Sequence, residues 1–159
     1  MRKRYIHYGA RAFDDQQFVP ISNVFLSNKP NGGLWASPVS AKQPWSKWCK
    51  RSMGVECKTD EYFKFQLTKC ANVIHLFCYD DVMRLPMQEN KEIESLNLSL
   101  LKSNAYPDFE KLKNQGVDAI EYHLSEDTST DWFLNLYQAL YGWDCDSILI
   151  LNPKIIEII

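Results

Sequence analysis

The chain has 159 residues, a length that suits one compact domain with a sizeable core and leaves little room for two. Its 18 basic and 20 acidic residues leave a net charge of -2, so no overall field draws it to nucleic acid or to an anionic membrane. The basic start Arg2-Lys3-Arg4 runs into Tyr5-Ile6-His7-Tyr8 and no window holds the roughly 18 apolar residues of a membrane span, so we expect no secretory signal, no membrane partner and a cytoplasmic location.

Residues 5–10 alternate as a first strand, with Tyr5, His7 and Gly9 on one face and Ile6, Tyr8 and Ala10 on the other. Residues 14–31 are rich in Asp, Asn and Pro and are expected to be loop, with a short extended piece at Val24-Phe25-Leu26. Gly32-Gly33 opens a short strand over residues 34–37, which Pro38 ends. The i, i+3, i+4 spacing of Trp45, Trp48 and Cys49 predicts a helix with these residues as its core face. A half-exposed strand is expected at residues 62–67 and another at 72–78, followed by a helical turn capped by Asp80 and stopped by Pro86.

Residues 87–103 read as loop with a weak helix. Pro107 then starts a helix with Phe109 and Leu112 buried and Gly116 as its stop. Residues 117–124 predict a strand with Ala119, Glu121 and His123 on its polar face and Ile120, Tyr122 and Leu124 on the other. Thr130 or Asp131 caps a helix carrying Trp132, Phe133, Leu136, Tyr137 and Leu140, which Gly142 ends. Residues 147–151 are apolar throughout and predict a final strand buried on both faces, with Asp144 and Asp146 at its entrance. There is no repeat or linker, so the expectation is a single α+β domain over residues 1–159.

The five cysteines include no CxxC pair, so neither a metal site nor a disulfide framework is expected and the thiols are taken as reduced. A phosphate loop of the Walker type, a dinucleotide GxGxxG, an HExxH and a GxSxG are all missing, which removes the cheapest support for phosphoryl transfer, hydride transfer, zinc hydrolysis and serine hydrolysis.

What remains is His7-Tyr8-Gly9, then Gly32-Gly33-Leu34-Trp35-Ala36-Ser37-Pro38, then a late acid. Gly9 permits close approach of a ligand to the backbone, and an indole face favours a cationic ring such as oxidised nicotinamide. In this order the residues resemble the ADP-ribosyltransferase fold superfamily, with tryptophan in place of the usual tyrosine and Tyr8 between the histidine and the glycine. The resemblance implies a mixed or antiparallel split β-sheet core with flanking helices. It implies NAD as substrate and no metal. His7 would orient the ribose, Tyr8 and Trp35 would frame the nicotinamide, Gly9 would let the backbone approach it, and Ser37 would support the strand.

Cleavage of the nicotinamide–ribose bond builds positive charge on the sugar, and a carboxylate stabilises it. Asp146, before the apolar strand and Pro153, and Glu121 compete for that role. The expected activity is transfer of ADP-ribose to a macromolecular acceptor, a protein ahead of a nucleic acid. The resemblance extends this to a toxin, an effector or a phage anti-defence factor. The alternatives are a non-catalytic protein-binding inhibitor on the same fold, an NAD glycohydrolase and a nucleic-acid modifier.

Overall fold

The computed structural model describes residues 2–52, 57, 59–89 and 106–159. The strands are β1 (Arg4–Tyr8), β2 (Leu34–Pro38), β3 (Tyr62–Leu67), β4 (Val73–Leu76), β5 (Ala119–Tyr122), β6 (Ser147–Ile150) and β7 (Ile156–Ile158). The helices are α1 (Trp45–Ser52), α2 (Tyr79–Met83), α3 (Phe109–Asn114) and α4 (Leu136–Ala139). The strands form one mixed seven-stranded sheet in the order β4-β5-β6-β2-β1-β3-β7, so the α+β class holds. Among the described strands only β4 and β5 pair in parallel, and a parallel neighbour requires a crossover. The chain supplies it with α2 and α3.

Strand alternation sends side chains to two cores. Ile120, Tyr122, Leu149 and Leu151 join Val82, Phe109, Leu112, Leu136, Leu140 and Trp143 on the helix-covered side. Ala119, Ile148 and Ile150 meet Tyr5, Ala36, Phe63, Phe65 and Ile155 on the other. β6 is therefore buried on both faces, as its unbroken apolar run predicts, and so is β5, which the expected polar face did not anticipate.

β2 is shared unevenly between its neighbours. Leu34, Trp35 and Ala36 pair with Ile150, Leu149 and Ile148 of β6, whereas Ser37 and Pro38 pair with Ile6 and Tyr5 of β1. The β1–β2 ladder thus stops at Ile6, and the two strands part where His7 and Tyr8 follow. β1 continues its register with β3 to Tyr8↔Tyr62.

Several local expectations are corrected. Residues 24–26 form a turn inside the loop closed by the Ser22↔Asn31 bridge, with Ser27 N–H donating to the Val24 carbonyl, instead of an extended piece. Asp80 does not cap α2; Asp81 accepts from the amides of Phe77 and Cys78 at 2.9 and 3.3 Å, and Cys78 is the cap residue. Asp108, one residue after Pro107, caps α3 by accepting from Lys111 N–H. α4 shrinks to one turn because Asp131 accepts from Phe133 N–H in a tight turn and Asn135 caps the helix through Gln138 N–H.

The sheet's last strand is β7, paired with β3, and not β6. Cys49 and Cys57 are disulfide-bonded, with Cα atoms 6.2 Å apart, which corrects the all-reduced expectation; Cys70, Cys78 and Cys145 are free. Most of the weak helix expected over residues 87–103 lies outside the described residues, and none of the described helices is long and apolar enough to cross a membrane.

Candidate functional site

The parting of β1 from β2 creates the site. A cavity of about 330 Å³ opens there, walled by Tyr8, Trp35, Trp45 and Trp48, with His7, Lys29 and Asp144 among its polar lining. His7 Nδ1–H donates to the Trp35 carbonyl at 2.7 Å, and the ring packs against Phe63 with centroids 5.0 Å apart. The ring therefore occupies the gap that the ended ladder leaves. Because Nδ1 is committed, Nε2 is the nitrogen left to meet a ligand.

Trp35 is set by what lies behind it. Trp143, itself buried and donating from Nε1 to the Asn28 carbonyl at 2.8 Å, meets Trp35 edge to face at 4.6 Å. Lys29 holds its ammonium 5.5 Å from the Trp35 ring centroid, within cation–π reach. Tyr8 and Trp45 have ring centroids 5.5 Å apart and form one aromatic wall. The hydroxyl of Ser37, fully buried, accepts from Trp45 N–H at 3.0 Å, so it anchors the start of α1 and with it that wall.

A second cavity of about 430 Å³ adjoins the first and shares His7 and Trp35 with it; Phe13, Phe18 and the Gly32-Gly33 turn line its far side. Both glycines have positive φ, 75° and 71°, and a Cβ on Gly32 would lie 2.4 Å from the Pro20 carbonyl oxygen. Glycine here is a condition for β2 to start where it does.

Of the expected site residues, His7, Tyr8, Trp35 and Ser37 come together in the first cavity. Gly9 does not line it. Its N–H donates to the Glu61 carbonyl at 2.9 Å, extending the antiparallel β1–β3 pairing by one bond. Neither expected acid lines it either. The Asp146 carboxylate is 4% exposed and accepts from Gln43 N–H at 2.9 Å and from Ser125 N–H at 2.7 Å, which makes it a clamp between two loops.

Glu121 is fully buried and sits under β1, where Lys3 Nζ approaches Oε1 at 2.5 Å and the Tyr5 hydroxyl donates to Oε2 at 3.1 Å. Burial first, and the Glu121 carboxylate second, push the Tyr5 phenol well above the ordinary tyrosine range. His75 and His123 complete this second cluster. The acid facing the aromatic cavity is Asp144, whose carboxylate, after burial, is the next cause raising the Tyr137 phenol.

No family model, curated protein or solved structure matches the chain. The site is therefore read from its own chemistry.

Four cavity residues escaped the sequence reading, in three distinct ways. Trp45 and Trp48 carry helical spacing, which looks the same for a core face and a cavity wall, and they are only partly buried. Lys29 sits in a loop with no periodicity to mark it. Asp144 stands beside Asp146, and sequence spacing does not tell which of two neighbouring carboxylates is spent on backbone amides.

Proposed function

We propose that the protein binds NAD in the two cavities that meet at His7 and Trp35 and transfers ADP-ribose from it to a macromolecular acceptor, a protein in the first instance. The observation that carries this reading is the His7 ring lodged where β1 and β2 part, bonded to the Trp35 backbone and flanked by the aromatic wall and Asp144. A cavity of about 330 Å³ suits a nicotinamide with its ribose, and the adjoining one gives the remainder of a two-lobed dinucleotide a place.

The residues divide the work by chemistry. Trp35 and Trp45 offer electron-rich faces to a cationic pyridinium ring. His7 Nε2 is the acceptor for a ribose hydroxyl. Lys29 leaves the Trp35 face to pair with a phosphate, as a mobile point charge does. Asp144 replaces Asp146 and Glu121 as the carboxylate that stabilises the oxocarbenium character developing when the nicotinamide departs. Trp132, Phe133 and Leu134 are 61, 57 and 52% exposed, and this apolar run supports a protein acceptor. The same run favours the second reading, a protein-binding inhibitor without turnover.

The test is incubation of the purified chain with NAD labelled on the adenylate side, with and without cell lysate, following label transfer and nicotinamide release. Transfer that needs lysate and is lost in His7→Ala and Asp144→Ala is expected. Nicotinamide release without any acceptor would identify a glycohydrolase instead. Failure of the protein to bind NAD at all in calorimetry would sink the reading.

A further inference from the structure

We propose that His75, Glu121 and His123 form a binding site for one divalent first-row transition cation of the zinc type. β4 and β5 pair in parallel with His75 opposite Glu121, and His123 follows β5 directly, so backbone register alone brings the side chains together. His75 Nδ1 lies 3.1 Å from His123 Nε2 and 3.4 Å from Glu121 Oε2, and all three ligand atoms lie within 4.8 Å of one another. Bonds of about 2.0–2.2 Å in a tetrahedral site place ligand atoms about 3.3–3.6 Å apart, close to the two shorter separations.

Proton accounting points the same way. His123 Nδ1 faces the Glu126 carboxylate at 3.4 Å, which favours the proton on Nδ1 and leaves Nε2 as the nitrogen directed at the cluster. This is the carboxylate–histidine arrangement that orients a metal ligand. His75 then donates from Nδ1 to His123 Nε2 at 3.1 Å, and its proton moves to the solvent-facing Nε2 when Nδ1 takes a cation. Lys3 takes Oε1 of Glu121 and Tyr5 donates to Oε2, which retains a second lone pair for a cation. Phe77 stacks on the His123 ring at 4.1 Å and fixes its plane. His75 is half exposed on the outermost strand of this side of the sheet, so the cation has an entry path and one coordination position open to water. Two imidazoles and one carboxylate suit zinc, cobalt or iron, and not calcium or magnesium, which take oxygen ligands. The site shares no residue with those lining the His7 cavity, so the proposal stands or falls independently of NAD chemistry.

The experiment strips the full chain with chelator and titrates it with Zn²⁺ by calorimetry and with Co²⁺ by visible absorption. One equivalent is expected, with a tetrahedral or five-coordinate Co²⁺ spectrum lacking a thiolate charge-transfer band. His75→Ala changes a half-exposed residue and leaves the core intact; it should lower the affinity at least about tenfold. Glu126→Gln should cost roughly 10–100-fold through the orientation of His123 alone. Binding unchanged in His75→Ala, a thiolate band that places the metal on cysteine, or no stoichiometric binding by the wild type would each overturn the proposal.

Discussion

Asp144 and Asp146 stand two residues apart and meet opposite surroundings. Both oxygens of Asp146 accept backbone amides, from the segment before α1 and from the turn after β5, while Asp144 faces the aromatic cavity. Asp146→Ala should therefore remove two charge-assisted hydrogen bonds to part-buried backbone amides, each worth about 1.5–3 kcal/mol at most, and lower the unfolding free energy by about 2–4 kcal/mol. Asp144→Ala should change stability by less than about 1 kcal/mol and reduce nicotinamide release by roughly 10²–10³-fold. Urea unfolding and a turnover assay on the same two proteins check both halves; an Asp146→Ala protein as stable as wild type would show that the clamp carries no weight. The candidate site was legible at His7 and Trp35 because a strand histidine and a glycine-led aromatic strand are unusual enough to stand out. The acid was not, since which neighbouring carboxylate is consumed by backbone amides depends on loops that meet only in three dimensions.

At the scale of elements, β2 is the piece on which the site hangs, and its beginning and end are both specified by single residues. A Cβ on Gly32 would press on the carbonyls of Pro20 and Val19 at 2.4 and 2.6 Å, and φ of +75° adds strain for any L side chain. Gly32→Ala combines about 1–2 kcal/mol of left-handed strain with about 1–3 kcal/mol of forced backbone shift, enough to lower Tm on the order of 10 °C in scanning calorimetry. Ser37→Ala removes the acceptor for Trp45 N–H at the start of α1 and should cost about 1 kcal/mol. Tm values within a degree of wild type for Gly32→Ala would mean that the turn before β2 rearranges freely. Strands with strong alternation or unbroken apolar runs, β3 and β6, could be read from the chain because their burial depends on period alone. β7 has three residues and is defined by pairing with β3, and α4 lost its first turns to the Asp131 side chain; neither competition is visible in hydrophobic spacing.

Among the described residues the molecule buries three acidic protons that it must keep, at Tyr5, Tyr122 and Cys145. Tyr5 and Tyr122 are both buried, and burial is the first cause that pushes each phenol well above the ordinary range; at Tyr5 the Glu121 carboxylate adds to it. Burial likewise pushes the Cys145 thiol up to about 12. In the unfolded chain these groups lose their protons near about 8.5 for the thiol and about 10 for the phenols, whereas the folded chain retains them. The unfolded state then binds fewer protons, so stability is fully present below those values and falls as pH rises through them, by up to about 1.4 kcal/mol per pH unit for each group. The urea midpoint should therefore be flat between about pH 7 and 8 and decline increasingly steeply above about pH 9. Ultraviolet titration should show two of the eight tyrosines ionising only as the protein unfolds. Tyr122→Phe separates the contributions, because the Tyr122 hydroxyl is buried with no hydrogen-bond partner among the described residues. Removing an unsatisfied hydroxyl of this kind is neutral or stabilising by about 1 kcal/mol near neutrality, and it deletes one proton from the alkaline slope. If all tyrosines of the wild type ionised together near about pH 10 with the fold intact, the interior around β1 and β5 would have to be far more open to water than its burial implies.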